Sequence, residues 1–163
     1  MRSETLTLIT PDGTVTCPVS IQADSAIFHQ VFEYRIYLTF EGKKYESILV
    51  TDTAGSVEAA FADLQKQLPP KVYIASCLTC RHGNFCPYGG APDVLYCTKE
   101  LRIDSKLDLV DLIDREDHFE KRAVSAFSYC DSFACQTSEF YTYNDFLFQL
   151  TGQQHSDMDD ESE

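Results

Sequence analysis

Between Val31 and Phe40 the chain alternates strictly. Phe32, Tyr34, Ile36, Leu38 and Phe40 fall on one side, and Val31, Glu33, Arg35, Tyr37 and Thr39 on the other. A period of two is that of a half-buried antiparallel strand. "EGKK" then leads into "YESILVT", which predicts a hairpin. Upstream, "TLTLI" and "TVTCPVSI" flank "PDG", where Pro and Gly supply turn geometry. The first fifty residues therefore read as strands.

Over residues 56–70 the period changes. Val57, Ala60, Phe61, Leu64 and Leu68 recur at steps of three and four, one stripe of a helix. Ser56 is placed to cap its start, Glu58 lies in the first turn where the helix dipole favours negative charge, and Pro69–Pro70 end it. "KVYIAS" then reads as a short strand. Further on, Leu109, Leu112 and Ile113 mark a second helix with Ser105 as a candidate cap. "RAVSAFSYC" alternates again, and "YTYNDFLFQL" reads as a closing helix begun by Thr142 or Asn144.

Strands gathered early and helices segregated from them predict an α+β fold: an antiparallel sheet with helices on one side. The 163 residues suit one domain, expected over residues 1–154, and a chain of that size buries roughly 70% of its unfolded surface. With 44% hydrophobic residues it can fold without disulfides or a metal. "HSDMDDESE", residues 155–163, has almost nothing to bury and reads as a disordered acidic tail.

Charge narrows the partners. The chain carries 13 Lys and Arg against 26 Asp and Glu, a net −13. Five of the negative charges lie in the last seven residues. Nucleic acid and acidic membrane surfaces are excluded by the lack of a basic cluster. Such a surface attracts a basic protein, although acidity equally serves solubility. There is no secretory signal behind the first residues, no apolar run long enough to span a membrane, and no lipidation signature. A cytoplasmic location is the resulting expectation.

Chemistry concentrates in "CLTCRHGNFCPYGGAPDVLYC", where Cys77, Cys80, Cys86 and Cys97 fall within twenty-one residues. A reducing cytosol opposes disulfides, and seven cysteines is an odd number. The two-residue interval of Cys77 and Cys80 lets two thiolates bind one tetrahedral ion. The stretch between is rich in Gly and Pro and poor in aliphatic residues, so it has little core of its own. A zinc ion can supply the missing folding free energy. Zinc ribbons repeat the short interval, whereas Cys86 and Cys97 stand far apart, so Cys130 and Cys135 of "SYCDSFAC" are alternative ligands. His82 is a further candidate, although a lone histidine in a turn more often faces solvent.

Three other readings stay open. The Cys86–Pro87 step fits an iron–sulfur cluster, but the ferredoxin spacing is absent. A redox dithiol would need a helix after the second cysteine, and "RHGNFCPYGG" cannot form one. Plain core packing is the fourth, and it is how we read Cys17.

"CLTCRHGNFCPYGG…LYC" followed by "FSYCDSFAC" resembles an uncharacterised bacterial family of unknown function that shares a C-x-x-C, a PYG turn and a following cysteine. The resemblance covers about a quarter of the chain. It implies that serine sometimes stands at the position of Cys86, which would make Cys130 or Cys135 the fourth ligand. It implies no activity.

Phosphate-binding loops, dinucleotide fingerprints, zinc-protease and deaminase motifs and nucleophile elbows are all absent. Asp108, Asp111, Asp114 and Asp117 recur every third residue, as expected of a solvated helix face, with His118 at its end. Clustered thiolates suit closed, structural coordination better than a catalytic site with an open position. The expectation is a zinc-stabilised protein-interaction or regulatory module, leaning away from an enzyme, with Arg81, Phe85 and Tyr88 displayed near the metal. The alternatives are an iron–sulfur or dithiol redox protein and an acidic immunity-type inhibitor of a basic partner.

Overall fold

The computed structural model describes residues 1–26, 31–51, 56–115, 117 and 119–152. His118 and the expected tail lie outside them. Five strands form one antiparallel sheet: β1 (Arg2–Thr10), β2 (Gly13–Ala26), β3 (Val31–Phe40), β4 (Lys43–Thr51) and β5 (Tyr73–Ala75), in the order β4-β3-β2-β1-β5. The alternation in β3 has its expected consequence. Tyr34, Ile36, Leu38 and Phe40 are buried, while Glu33, Arg35, Tyr37 and Thr39 are not. The β3–β4 turn holds Glu41 and Gly42 at φ 50° and 75°, between the paired Phe40 and Lys43. Two positive φ values make the mirror-image turn whose twist matches a hairpin.

Helix α1 (Ser56–Gln67) lies on β3 and β4 and buries the whole predicted stripe. The Ser56 side chain lies outside what is described. Glu58 lies in the first turn of α1 as expected, and it is buried, with only 5% of its surface exposed. α1 also packs against α3 (Phe146–Thr151). That helix begins later than expected, after Asp145, although Asn144 Oδ1 does accept the Phe146 N–H at 3.1 Å.

Beyond β5 the fold departs from expectation. The glycine-rich stretch builds a second sheet, in the order β6-β7-β8, from β6 (Gly83–Asn84), β7 (Val94–Cys97) and β8 (Ala123–Ser125). β8 is shorter than the alternation of "RAVSAFSYC" suggested, because the chain turns at Ser125–Ser128 and buries Ala126 and Phe127 in succession. Helix α2 (Lys106–Arg115) joins β7 to β8, with Ser105 Oγ accepting the Asp108 N–H as its cap. Asp111, Asp114 and Asp117 are exposed, as a solvated face should be, and Asp108 is half-buried.

One core ties the two sheets together. Leu78, Leu95, Ala126 and Phe127 belong to the same buried cluster as Leu6, Ile36 and Phe61, and the Phe61 and Phe127 rings stand 5.0 Å apart. Each fully buried Leu or Phe contributes about 1.5–3 kcal/mol. Cys17 is in this core, as its isolation in a strand suggested. The architecture is α+β. Among the described residues, no helix is long and apolar enough to cross a membrane.

Candidate metal centre

The turn Cys77–Cys80 follows β5 directly. The Thr79 hydroxyl closes it, donating to Ile74 O at 2.8 Å and accepting the Ser76 N–H at 3.1 Å. Leu78, between the two cysteines, is fully buried and anchors the turn in the core. The cysteines on either side are thereby held at the core's margin.

Two other segments are brought to this turn by backbone hydrogen bonds. Cys77 N–H donates to Ser128 O at 2.7 Å and Leu78 N–H to Ala126 O at 3.3 Å, so the chain leaving β8 runs alongside and carries Cys130. On the other flank Cys97 pairs with Gly83 across β7 and β6. Directly opposed residues send their side chains to the same face. At Gly83 that side-chain position is taken by the backbone of Cys77. Cys77 and Cys97 therefore share one face of the small sheet.

The electrostatics report the same grouping. Burial pushes the Cys77 thiol up to about 12, and the sulfurs of Cys80, Cys97 and Cys130 push in the same direction. Cys80 is also raised, first by burial and further by Cys97 and Cys130. The backbone amides of Ala134 and His82, hydrogen-bonded to its sulfur, pull the other way. Amide donors on a sulfur favour its thiolate, the form that binds metals. The His82 imidazole is half-buried, and burial together with Arg81 and Lys99 lowers its pKa.

Cys86 and Cys135 are not among the cysteines that act on the Cys77 thiol. Cys86 is half-buried beside Tyr88, and Cys135 is exposed opposite Cys80. Among the described residues no three His, Cys, Asp or Glu side chains close tightly enough to enclose an ion. The four sulfurs are neighbours rather than a finished shell.

The carbonyls of the loop are held by buried polar side chains that the sequence reading did not single out for this role. Leu78 O accepts from Gln136 Nε2 at 2.7 Å and from Asn144 Nδ2 at 3.1 Å. Asn144 Nδ2 also donates to Gly83 O at 2.6 Å, and the Thr142 hydroxyl donates to Arg81 O at 2.8 Å. Asn84 Nδ2 donates to Thr98 Oγ1 at 2.9 Å, while its Oδ1 accepts the Tyr143 N–H at 2.7 Å. Networks of this kind rigidify a buried site, although among the described residues Gln136 Oε1 has no hydrogen-bond partner. The one available signal was polar residues set among aromatics in "FYTYNDF", which we read as a helix start.

Around the site, Arg81 stacks on the exposed Phe140 ring at 4.4 Å, and Tyr129 stands against Phe133. Tyr88 is exposed as expected. Phe85, expected to be displayed, packs against the core instead.

No family model matches the sequence, and no curated protein or solved structure matches it either.

Proposed function

We propose that this protein is a small module stabilised by a structural zinc ion on Cys77, Cys80, Cys97 and Cys130, and that the surface so ordered binds a protein partner. The observation that carries the reading is the backbone pairing that brings the segments bearing Cys97 and Cys130 alongside the Cys77–Cys80 turn. A tetrahedral zinc ion takes four ligands of this kind, and closed four-thiolate coordination is structural rather than catalytic. Without a cation, buried thiols stay protonated and pack as small apolar side chains. With one bound they are deprotonated outright and close on it. Cys86 and Cys135 take no part in this set. The exposed aromatics beside Arg81 offer the apolar contact area of an interaction surface. The acidic charge of the chain favours a basic partner.

Elemental analysis of protein purified without chelator tests the reading. Zinc is expected at one ion per chain, and Ser variants at Cys77, Cys80, Cys97 or Cys130 should each lose it, while Cys86→Ser and Cys17→Ser keep it. Substoichiometric metal in the unaltered protein would end the proposal. Iron with inorganic sulfide would replace zinc by a cluster on the same sulfurs.

A further inference from the structure

Cys80 has a second neighbour. It forms a cross-strand bridge with Cys135, framed by Arg81 N–H donating to Ala134 O at 2.8 Å and Gln136 N–H donating to Thr79 O at 3.2 Å. That arrangement is the non-hydrogen-bonded type of antiparallel pair, in which Cα atoms lie about 4.5 Å apart with both side chains on one face. Disulfides span Cα separations of about 4.4–6.8 Å, so no backbone movement is needed to join the two. The Cys80 sulfur already leans toward this strand, accepting the Ala134 amide. The register is fixed by Gln136, whose Nε2 reaches back to Leu78 O and Asn144 Oδ1. Both thiols are free, Cys80 buried and Cys135 exposed.

We propose that Cys80 and Cys135 form a reversible disulfide that takes Cys80 away from the metal, making metal retention dependent on peroxide. The release rests on the zinc reading above, whereas the disulfide rests only on the paired backbone. The exposed Cys135 sulfur, giving up its proton, attacks one oxygen of hydrogen peroxide. The O–O bond breaks, its electron pair leaves as hydroxide, and Cys135 becomes a sulfenic acid. The Cys80 sulfur then attacks the Cys135 sulfur and expels the second hydroxide. The Cys135 thiol proton converts one hydroxide to water and a proton from solvent converts the other, because the zinc-bound Cys80 thiolate carries none. In sum, one thiol, one zinc-bound thiolate, one proton and one peroxide give one disulfide and two waters. Zinc keeps its charge throughout and is left with three sulfur ligands. A dithiol reductant returns two electrons and two protons and restores the site.

The test treats the full-length, zinc-loaded chain with a small excess of hydrogen peroxide. Free thiols are then blocked, linked peptides are mapped by fragmentation, and released zinc is followed with a chromogenic chelator. The expected result is a Cys80–Cys135 linkage appearing together with stoichiometric zinc release, both reversed by dithiothreitol. Cys135→Ser should form no such linkage and should keep its zinc at the same peroxide dose. A dominant Cys77–Cys80 linkage, or equally fast zinc release from Cys135→Ser, overturns the proposal. A Cys80–Cys135 linkage in protein that never held metal overturns the release and the zinc reading together. Bound zinc with no linkage at these two positions overturns the disulfide alone.

Discussion

The carbonyl oxygen of Cys77 occupies the place where Gly83 would carry a side chain: a Cβ built there stands 1.9 Å from it. The neighbouring atom is backbone, so it cannot swing aside. Gly83→Ala is therefore expected to push the Cys77 turn off the small sheet and to destabilise the fold by about 1–3 kcal/mol. Urea unfolding measures the loss. An unchanged midpoint would mean that the two segments are not in contact.

Asn144 offers a second check on how the loop is held. Its side chain donates to Leu78 O and Gly83 O, and accepts from Gln136 Nε2 and the Phe146 N–H. Asn144→Ala takes the Asn144 partner from Gly83 O and the Phe146 N–H, each costing about 1–3 kcal/mol, while Leu78 O and Gln136 Nε2 keep each other. The loss should be larger than for Gly83→Ala. Hydrogen exchange at residues 78–84 should rise in the variant before that of β2 and β3 does.

Glu58 makes stability depend on pH in the direction opposite to most carboxylates. Burial pushes its carboxyl up to about 7 from an ordinary 4.5, against the pull of the Glu58 and Asp145 amides, and the Asp145 charge adds to the rise. Among the described residues, its Oε2 has no hydrogen-bond partner. The folded state thus holds the proton more tightly than the unfolded chain. The contribution of this group is complete below the unfolded value and is lost as pH rises through 7. It amounts to about 3 kcal/mol at most. Glu58→Gln should flatten that decline and leave the protein more stable than the unaltered chain at pH 8, as read from thermal unfolding across pH. Parallel pH curves for the two proteins would refute the assignment.

The β3–β4 turn places a glutamate where the left-handed conformation is required, at φ 50°. For a residue with a long side chain that conformation costs roughly 1–2 kcal/mol, and asparagine adopts it more readily. Glu41→Asn is expected to stabilise the hairpin by about 1 kcal/mol, and Gly42→Ala to destabilise it by a similar amount. Chemical denaturation resolves both.

How much of this was legible beforehand follows from what each segment depends on. β3, β4 and α1 are specified locally. Alternation at Tyr34–Phe40 and the stripe Val57–Leu68 each demand one buried face, and two hairpin turns set the register of β1 with β2 and of β3 with β4. The small sheet is different. Gly83 and Asn84 have no strand propensity of their own and become β6 because residues distant in sequence pair with and clamp them. Cys77 and Cys80 were visible as a pair because their spacing is local. Their companions Cys97 and Cys130 depend on the Gly83–Cys97 register and the Cys77–Ser128 hydrogen bond, which spacing does not encode. Glu58 lies in the first turn of α1, as its place in the sequence indicated, but its burial was not legible, because α3 and the chain before it, distant in sequence, cover that turn.

The clamps on the loop also set an order of events during synthesis. Strands β1 to β4 need only their immediate neighbours, so they can pair while the ribosome is still working. The carbonyls of Leu78, Arg81 and Gly83 must wait for Gln136, Thr142 and Asn144. A nascent chain halted at residue 135 would therefore present a formed sheet beside an unshaped cysteine loop, whose ordering is a late, near-final act of maturation.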